Sequence, residues 1–221
     1  MPETWIFMDA GDTFIMGYPT LYDAIRDCCA RVNHAVSIDA IQRVLHGAMK
    51  TDDRAALLYQ EQFEQYLRQL YREVLIALNF PGNVDAGCDY LWGEWRGGHR
   101  LRLFDDAHAA LANLKKHNFQ LGIISNWDTS LEGLLRRFGV SHFFDLLVVS
   151  CQVHLAKPDP AIFNLAINTV GAEADRCWYL GDHREMDIIP ASQLGMKTVY
   201  VDYYQKKKAD DMADFLAPSL S

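Results

Sequence analysis

The sequence predicts an α/β fold, with a Rossmann-like parallel sheet, helices on both faces and one inserted all-helical domain. Three observations support this prediction. The short apolar run Trp5–Met8 ends abruptly in a polar loop, as a buried strand does. Residues 19–98 repeat their apolar positions only at helical spacing. After residue 100, strand-like and helix-like segments alternate, which is typical of parallel sheets.

The elements follow from these patterns in chain order. The first strand is residues 5–8, and Gly97 with Gly98 closes the inserted segment as a flexible pair. The domains are therefore predicted as a core of residues 1–17 and 100–221 with an insertion of residues 18–99. In the insertion we predict helices near residues 21–28, 38–45, 53–78 and 85–95. In the core we predict helices 106–117, 129–138, 161–170 and 187–194, and strands 119–125, 144–150, 177–180 and 198–201.

Charge and cysteine usage exclude several classes of protein. The net charge of -8 argues against a nucleic-acid or anionic-membrane partner, because phosphates recruit clustered Lys and Arg, and the basic run at residues 206–208 is short. Five cysteines without C-x-x-C spacing favour a reduced, cytoplasmic setting. No apolar run approaches the roughly 18 residues of a membrane span. An exposed apolar face on the inserted helices would favour a homodimer.

Polar residues stand at the ends of the predicted strands. In an open parallel sheet, ligands bind beyond the carboxyl ends of the strands, so these residues predict the site. Clustered carboxylates repel each other unless a cation lies among them, and hard oxygen ligands suit Mg²⁺. A hydroxyl and an ammonium suit an anionic oxygen such as that of a phosphoryl group. The residues are Asp9, Ser125, Asn126, Lys157, Asp182 and Asp187.

Each of these residues also has a purely structural explanation. Asp9 suits an Asx-turn, Ser125 suits a helix cap, and Lys157 suits a solvated loop. Asp182 and Asp187 could cap the helix that follows them. Their occurrence together at successive strand ends favours a functional site, in which an ionised Asp9 attacks in line and forms a covalent intermediate.

These segments resemble the motifs of the haloacid dehalogenase-like (HAD) superfamily, and the resemblance spans nearly the whole chain. It implies that residues 18–99 form a helical cap of the C1 type and that the chain is a hydrolase. The matching segments are Asp9-Ala10-Gly11-Asp12-Thr13-Phe14, Ile123-Ile124-Ser125-Asn126, Lys157-Pro158-Asp159-Pro160, and Gly181-Asp182 through Asp187.

The resemblance also implies a role for each matching residue. Asp9 would be the nucleophile and Lys157 the cation that steadies both Asp9 and the substrate anion. Thr13 and Ser125 would bind phosphate, and Asn126 would orient the substrate. The expected cofactor is Mg²⁺, and its expected ligands are Asp9, the Gly11 carbonyl and Asp182, with Asp187 binding directly or through a neighbouring ligand.

One position departs from the family pattern. Phosphatases of the family usually carry a second aspartate two residues after the nucleophile, and here that residue is Gly11. A general acid and base is worth about 10²–10⁴-fold in rate. Three hypotheses stay open: a Mg²⁺-dependent phosphatase of a small phosphorylated metabolite acting through an aspartyl-phosphate, a metal-free 2-haloacid dehalogenase using Asp9, and a catalytically weak phospho-ligand-binding protein.

Overall fold

The computed structural model describes residues 4–17, 20–48, 60–204 and 212–220. The chain divides into two compact units. Met1–Met16 together with Leu103–Ser221 forms the first, here called the core unit, and Gly17–Arg102 forms the second, the helical unit. The residues at 53–59 of the predicted long helix and the basic run at 206–208 lie outside the described residues.

A six-stranded parallel sheet forms the centre of the core unit, and it confirms the predicted fold class. Its strand order is β5-β4-β1-β6-β7-β8. The central strand β1 is buried along its whole length, as expected for a continuous apolar run with strands on both sides. Two further strands, β2 and β3, pair separately. The strands are β1 Trp5–Met8, β2 Ile15–Gly17, β3 Leu101–Leu103, β4 Gln120–Ser125, β5 Leu146–Val149, β6 Cys177–Gly181, β7 Lys197–Val201 and β8 Phe215–Ala217.

The helical unit contains four described helices. The first begins with a capping box, in which the Thr20 hydroxyl accepts from the Asp23 amide and the Asp23 carboxylate accepts from the Thr20 amide at 2.9 Å. Arg100 binds Asp27 and Glu94 near the end of the unit. The helices are α1 Leu21–Ala30, α2 Ile38–Ala48, α3 Gln60–Ala77 and α4 Val84–Arg96.

Most helices of the core unit lie where the sequence predicts them. The exception is the predicted helix 187–194, which begins instead as a π-helical turn, Arg184–Ile188, and only then becomes α-helical. Sequence periodicity also missed the short helix at Ser150–Val153 and the edge strand β8. The helices are α5 Ala107–Lys116, α6 Leu131–Arg137, α7 Ser150–Val153, α8 Pro160–Val170 and α9 Ile189–Gln193.

The core cluster of the sheet packs β1, β4 and β6 against α8 and α9. Phe7, Phe163 and Tyr179 are fully buried within it, which fixes the strands whose carboxyl ends carry the polar residues. All five cysteines are buried free thiols. Among the described residues, no helix is both long enough and apolar enough to span a membrane.

Candidate active site

Asp9 lies one residue beyond β1, at the carboxyl edge of the sheet. Its amide donates to the Leu180 carbonyl at 2.9 Å, so the pairing of β1 with β6 continues through Asp9 itself. The residue is only 9% exposed. The main chain therefore holds this carboxylate in a fixed, nearly dry position.

The loop after Asp9 is a tight turn that returns into β2. The Ile15 amide donates to the Ala10 carbonyl at 2.9 Å, and the Asp12 amide donates to the Ile15 carbonyl at 2.8 Å. Asp12 has a φ of 50°, in the left-handed region. Thr13 is fully buried, and its hydroxyl has no hydrogen-bond partner within the described part of the chain. This buried hydroxyl therefore lacks an acceptor for its proton.

Lys157 bridges two carboxylates in the interior of the core unit. Its Nζ lies 2.7 Å from Asp9 Oδ1 and 2.6 Å from Asp187 Oδ1, and its side chain is 3% exposed. The main chain of Lys157 is held by Asn126, whose Oδ1 accepts from the Lys157 amide at 2.8 Å and whose Nδ2 donates to the Lys157 carbonyl at 2.9 Å. Asn126 thus ties the end of β4 to the lysine loop.

Tyr179 completes the surroundings of this lysine. The Lys157 ammonium donates to the Tyr179 hydroxyl at 3.2 Å, so all three of its protons have acceptors. The hydroxyl in turn lies 3.1 Å from Asp187 Oδ1 and 3.0 Å from the Ile124 carbonyl, and its single proton can go to either. Sequence reasoning treated Tyr179 only as part of a buried strand.

Asp187 reaches this network from the π-helical turn. Its Oδ2 accepts from the His183 amide at 3.0 Å. A Cβ on Gly181 would lie 2.5 Å from the Asp187 Cβ and Cγ, so only glycine permits this close approach. One oxygen each of Asp9, Asp182 and Asp187 lie within 4.8 Å of one another, an all-carboxylate donor set of the kind that hard cations prefer.

Burial and the neighbouring charges control the protonation of Asp9 and Lys157. Burial raises the pKa of Asp9 above 3.8, the Lys157 ammonium opposes this, and the Asp187 carboxylate adds to it. A hydrogen bond with Ser125 favours the ionised form of Asp9. Burial alone would lower the pKa of Lys157, but the Asp187 and Asp9 carboxylates outweigh it and raise that pKa. The lysine therefore remains charged.

The structure brings six of the predicted residues together at one sheet edge: Asp9, Ser125, Asn126, Lys157, Asp182 and Asp187. Asn126 uses its amide group to hold the Lys157 main chain, so its predicted role in orienting a substrate stays a prediction. Trp127, which sequence reasoning did not single out, has its ring 3.4 Å from the position that a Cβ on Gly11 would occupy.

Comparison with known proteins points to one family. Residues 36–201, about three quarters of the chain, match the family described as haloacid dehalogenase-like hydrolase. A relative from Danio rerio, haloacid dehalogenase-like hydrolase domain-containing protein 3, is 32% identical over 53% of this chain and 48% of its own. A phosphoserine phosphatase from Thermus thermophilus is 30% identical over 62% of this chain and 55% of its own.

A solved structure extends the comparison to the whole fold. The L-2-haloacid dehalogenase RSc1362 superposes with a TM-score of 0.79 over 100% of this chain and 96% of its own, at 20% identity. At this identity the similarity concerns the fold alone. The chain spans about half of the length of the two relatives matched by sequence.

Proposed function

This chain belongs to the haloacid dehalogenase-like hydrolase family, and we propose that it is a Mg²⁺-dependent phosphatase of a small phosphorylated compound. The observation that carries the proposal is the buried Asp9–Lys157–Asp187 arrangement with Asp182 beside it. Curated relatives that are phosphatases support the same reaction class.

The proposed nucleophile is the Asp9 carboxylate. The Lys157 ammonium at 2.7 Å favours its ionised form, and the strand-like pairing of its amide fixes its direction. A fixed carboxylate needs no reorganisation before it attacks phosphorus. The attack would form an aspartyl-phosphate and release the leaving group, and water would then hydrolyse that ester and regenerate Asp9.

The proposed cation ligands are Asp9, Asp182 and Asp187, together with the Gly11 carbonyl. The donor set fits Mg²⁺, because it consists of hard carboxylate oxygens close enough to surround one ion. Bound there, Mg²⁺ would neutralise carboxylate repulsion and the charge of a phosphoryl group. These carboxylates favour the phosphatase over a metal-free dehalogenase, which has no use for a third acid at the site.

The phosphoryl oxygens are expected to meet hydroxyl donors on both sides of Asp9. Ser125 ends β4 and is 1% exposed, and the Thr13 hydroxyl has no partner in the described residues. Thr13 lies in the loop that follows Asp9, and Ser125 is the last residue of β4, the strand beside β1. A phosphoryl group would satisfy the Thr13 hydroxyl and would accept from Ser125 in place of Asp9, while Lys157 balances the negative charge.

Hydrolysis of 4-nitrophenyl phosphate tests this function. We expect turnover that requires Mg²⁺ and that disappears in Asp9→Asn, which keeps the size of the side chain but removes its charge. Lys115→Met, a change at a surface ion pair, is the control. Metal-independent turnover, or full activity of the Asp9→Asn variant, would reject the proposal; halide release from 2-chloropropionate without metal would establish the dehalogenase.

A further inference from the structure

Lys157 lies in a turn between α7 and α8 rather than in a helix or a strand. Its Nζ nevertheless lies 2.7 Å from the Asp9 carboxylate and 2.6 Å from that of Asp187. A lysine ammonium is carried on a flexible four-carbon stem, so its position depends on where the main chain is held. The contacts of this turn with the rest of the core unit therefore decide where the ammonium lies.

Asn126 binds both peptide groups of Lys157. Its Oδ1 accepts from the Lys157 amide at 2.8 Å, and its Nδ2 donates to the Lys157 carbonyl at 2.9 Å. Two residues of paired strands exchange hydrogen bonds in the same way, but here one partner is a side chain. Because its oxygen and its nitrogen are both engaged, the amide group of Asn126 is directed at the lysine turn.

Ser150 binds the residue after Asn126 in the same manner. Its hydroxyl is fully buried, and it accepts from the Trp127 amide and donates to the Trp127 carbonyl, each at 3.2 Å. The Cys151 amide donates to the same carbonyl at 3.4 Å. Since Trp127 follows Asn126 directly, these bonds hold the main chain from which the Asn126 side chain projects. Ser150 comes directly after β5 and stands outside the four segments that resemble the family motifs.

We propose that Ser150 and Asn126 form a positioning relay, in which Ser150 holds the loop after β4 and Asn126 transmits that position to Lys157. Both residues act through the lysine, and neither contacts the substrate. The inference rests on the proposed phosphatase function, in which the Lys157 ammonium steadies Asp9 and the phosphoryl charge. It gives Asn126 a role different from the one that the family resemblance implies.

The relay predicts a particular split between turnover and binding. Misplacing a catalytic group by about 1 Å can cost about 10²-fold in rate. Without the bonds from Asn126, the Lys157 main chain is released and its ammonium is no longer fixed beside Asp9, so kcat falls. A residue that bound the substrate equally in the ground state and the transition state would instead raise KM and leave kcat unchanged.

Hydrogen exchange of the Lys157 amide tests the relay without any substrate. This proton is bonded to Asn126 Oδ1, and its exchange rate, followed by NMR in the full chain, reports how often that bond opens. It should exchange about 10-fold faster in Asn126→Ala and also in Ser150→Ala, which corresponds to about one hydrogen bond. Thr198→Val is the matched control, because it removes another fully buried hydroxyl near the start of β7 and should leave this exchange unchanged.

A double-mutant cycle with 4-nitrophenyl phosphate and Mg²⁺ tests whether the two residues act in series. Ser150→Ala should lower kcat about 10-fold and Asn126→Ala about 10²-fold, both with KM unchanged. The double variant should be no slower than Asn126→Ala alone, because the second link is already broken. Asn126→Asp keeps the size and the acceptor oxygen, and it should lose less activity if the alanine variant does not fold.

The contrary outcomes separate the relay from the proposed function. Losses that multiply in the double variant, or a raised KM with an unchanged kcat in Asn126→Ala, would overturn the relay. So would Lys157 amide exchange that Ser150→Ala leaves unchanged. A wild-type chain that releases no nitrophenolate overturns the proposed function instead, and the exchange measurement then still decides whether Ser150 and Asn126 hold the lysine.

Discussion

Replacing Lys157 by methionine is the perturbation whose cost the structure predicts best. Methionine has a similar length but no charge, so Lys157→Met leaves the carboxylates of Asp9 and Asp187 buried without their cation. Removing one partner of a buried ion pair costs about 3–5 kcal/mol of unfolding free energy. At about 2–4 °C per kcal/mol in a chain of this size, the melting temperature should fall by roughly 6–20 °C.

Urea unfolding at neutral pH measures this loss directly, and Lys115→Met is the matched control. Lys115 lies 2.6 Å from Asp145, but the two side chains are 29% and 37% exposed, so this change should cost about 0–1 kcal/mol. A decrease of less than about 1 kcal/mol in the unfolding free energy of Lys157→Met would refute the buried-pair reasoning. Two carboxylates buried without a cation should destabilise the folded protein by more than that.

The pH dependence of the same variant gives a second check. Burial already raises the pKa of Asp9 above 3.8, and losing the opposing Lys157 charge raises it further. When a carboxyl group has a higher pKa in the folded protein than in the unfolded chain, the free energy of unfolding decreases as the pH rises from the unfolded-state pKa through the folded-state pKa. The difference between wild type and variant should therefore shrink towards pH 4, and a difference that grows in acid would contradict this account.

Three further predictions follow from the same site. Because burial raises the pKa of Asp9, turnover should fall in acid with a midpoint above pH 3.8, and saturating Mg²⁺ should move that midpoint lower in a pH-rate profile. Gly181→Ala places a Cβ 2.5 Å from Asp187 and should reduce kcat by about 10²-fold in steady-state assays. Tyr179→Phe should cost about 1–3 kcal/mol in urea unfolding and lower kcat more than it changes KM, because Lys157 loses an acceptor.

Controls and contrary results separate these effects from loss of folding. Gly133→Ala is the control for Gly181→Ala, because an added Cβ there meets nothing within 4 Å. An unchanged kcat in Gly181→Ala would show that the Asp187 position is unimportant. A midpoint at or below pH 3.8 without added metal would contradict the raised pKa of Asp9, and an unaltered Tyr179→Phe enzyme would remove that hydroxyl from the network.

Much of this site follows from the sequence for a geometric reason. Parallel strands end at one edge of a sheet, so Asp9, Ser125 and Asp182, each at or just after a strand end, must lie along the same edge. Lys157 precedes a helix that packs against the same sheet, so its loop is also carried to that edge. The strand-end pattern therefore predicts which residues share this edge, and the position of β1 between β4 and β6 brings their ends side by side.

Contacts made inside the sheet could not be predicted in this way. Tyr179 lies within the apolar strand β6, where its burial pattern predicts core packing, and only the fold shows its hydroxyl next to Lys157. The Trp127 ring lies 3.4 Å from where a Cβ on Gly11 would be, although the two residues follow different strands, and a one-dimensional pattern has no signal for ring orientation. The strand β8 was missed because it has only three apolar residues, two of them exposed, and so short a run carries little periodicity.

The most direct test of the central claim is to trap the covalent intermediate. The protein is mixed with 4-nitrophenyl phosphate and Mg²⁺, quenched in acid within the first turnover, digested and analysed by mass spectrometry. We predict one acid-stable, alkali-labile phosphoryl group on the peptide that contains Asp9, and none in Asp9→Asn. Rapid turnover with a phosphoryl group on another residue, or with none at any time, would contradict an Asp9-centred mechanism.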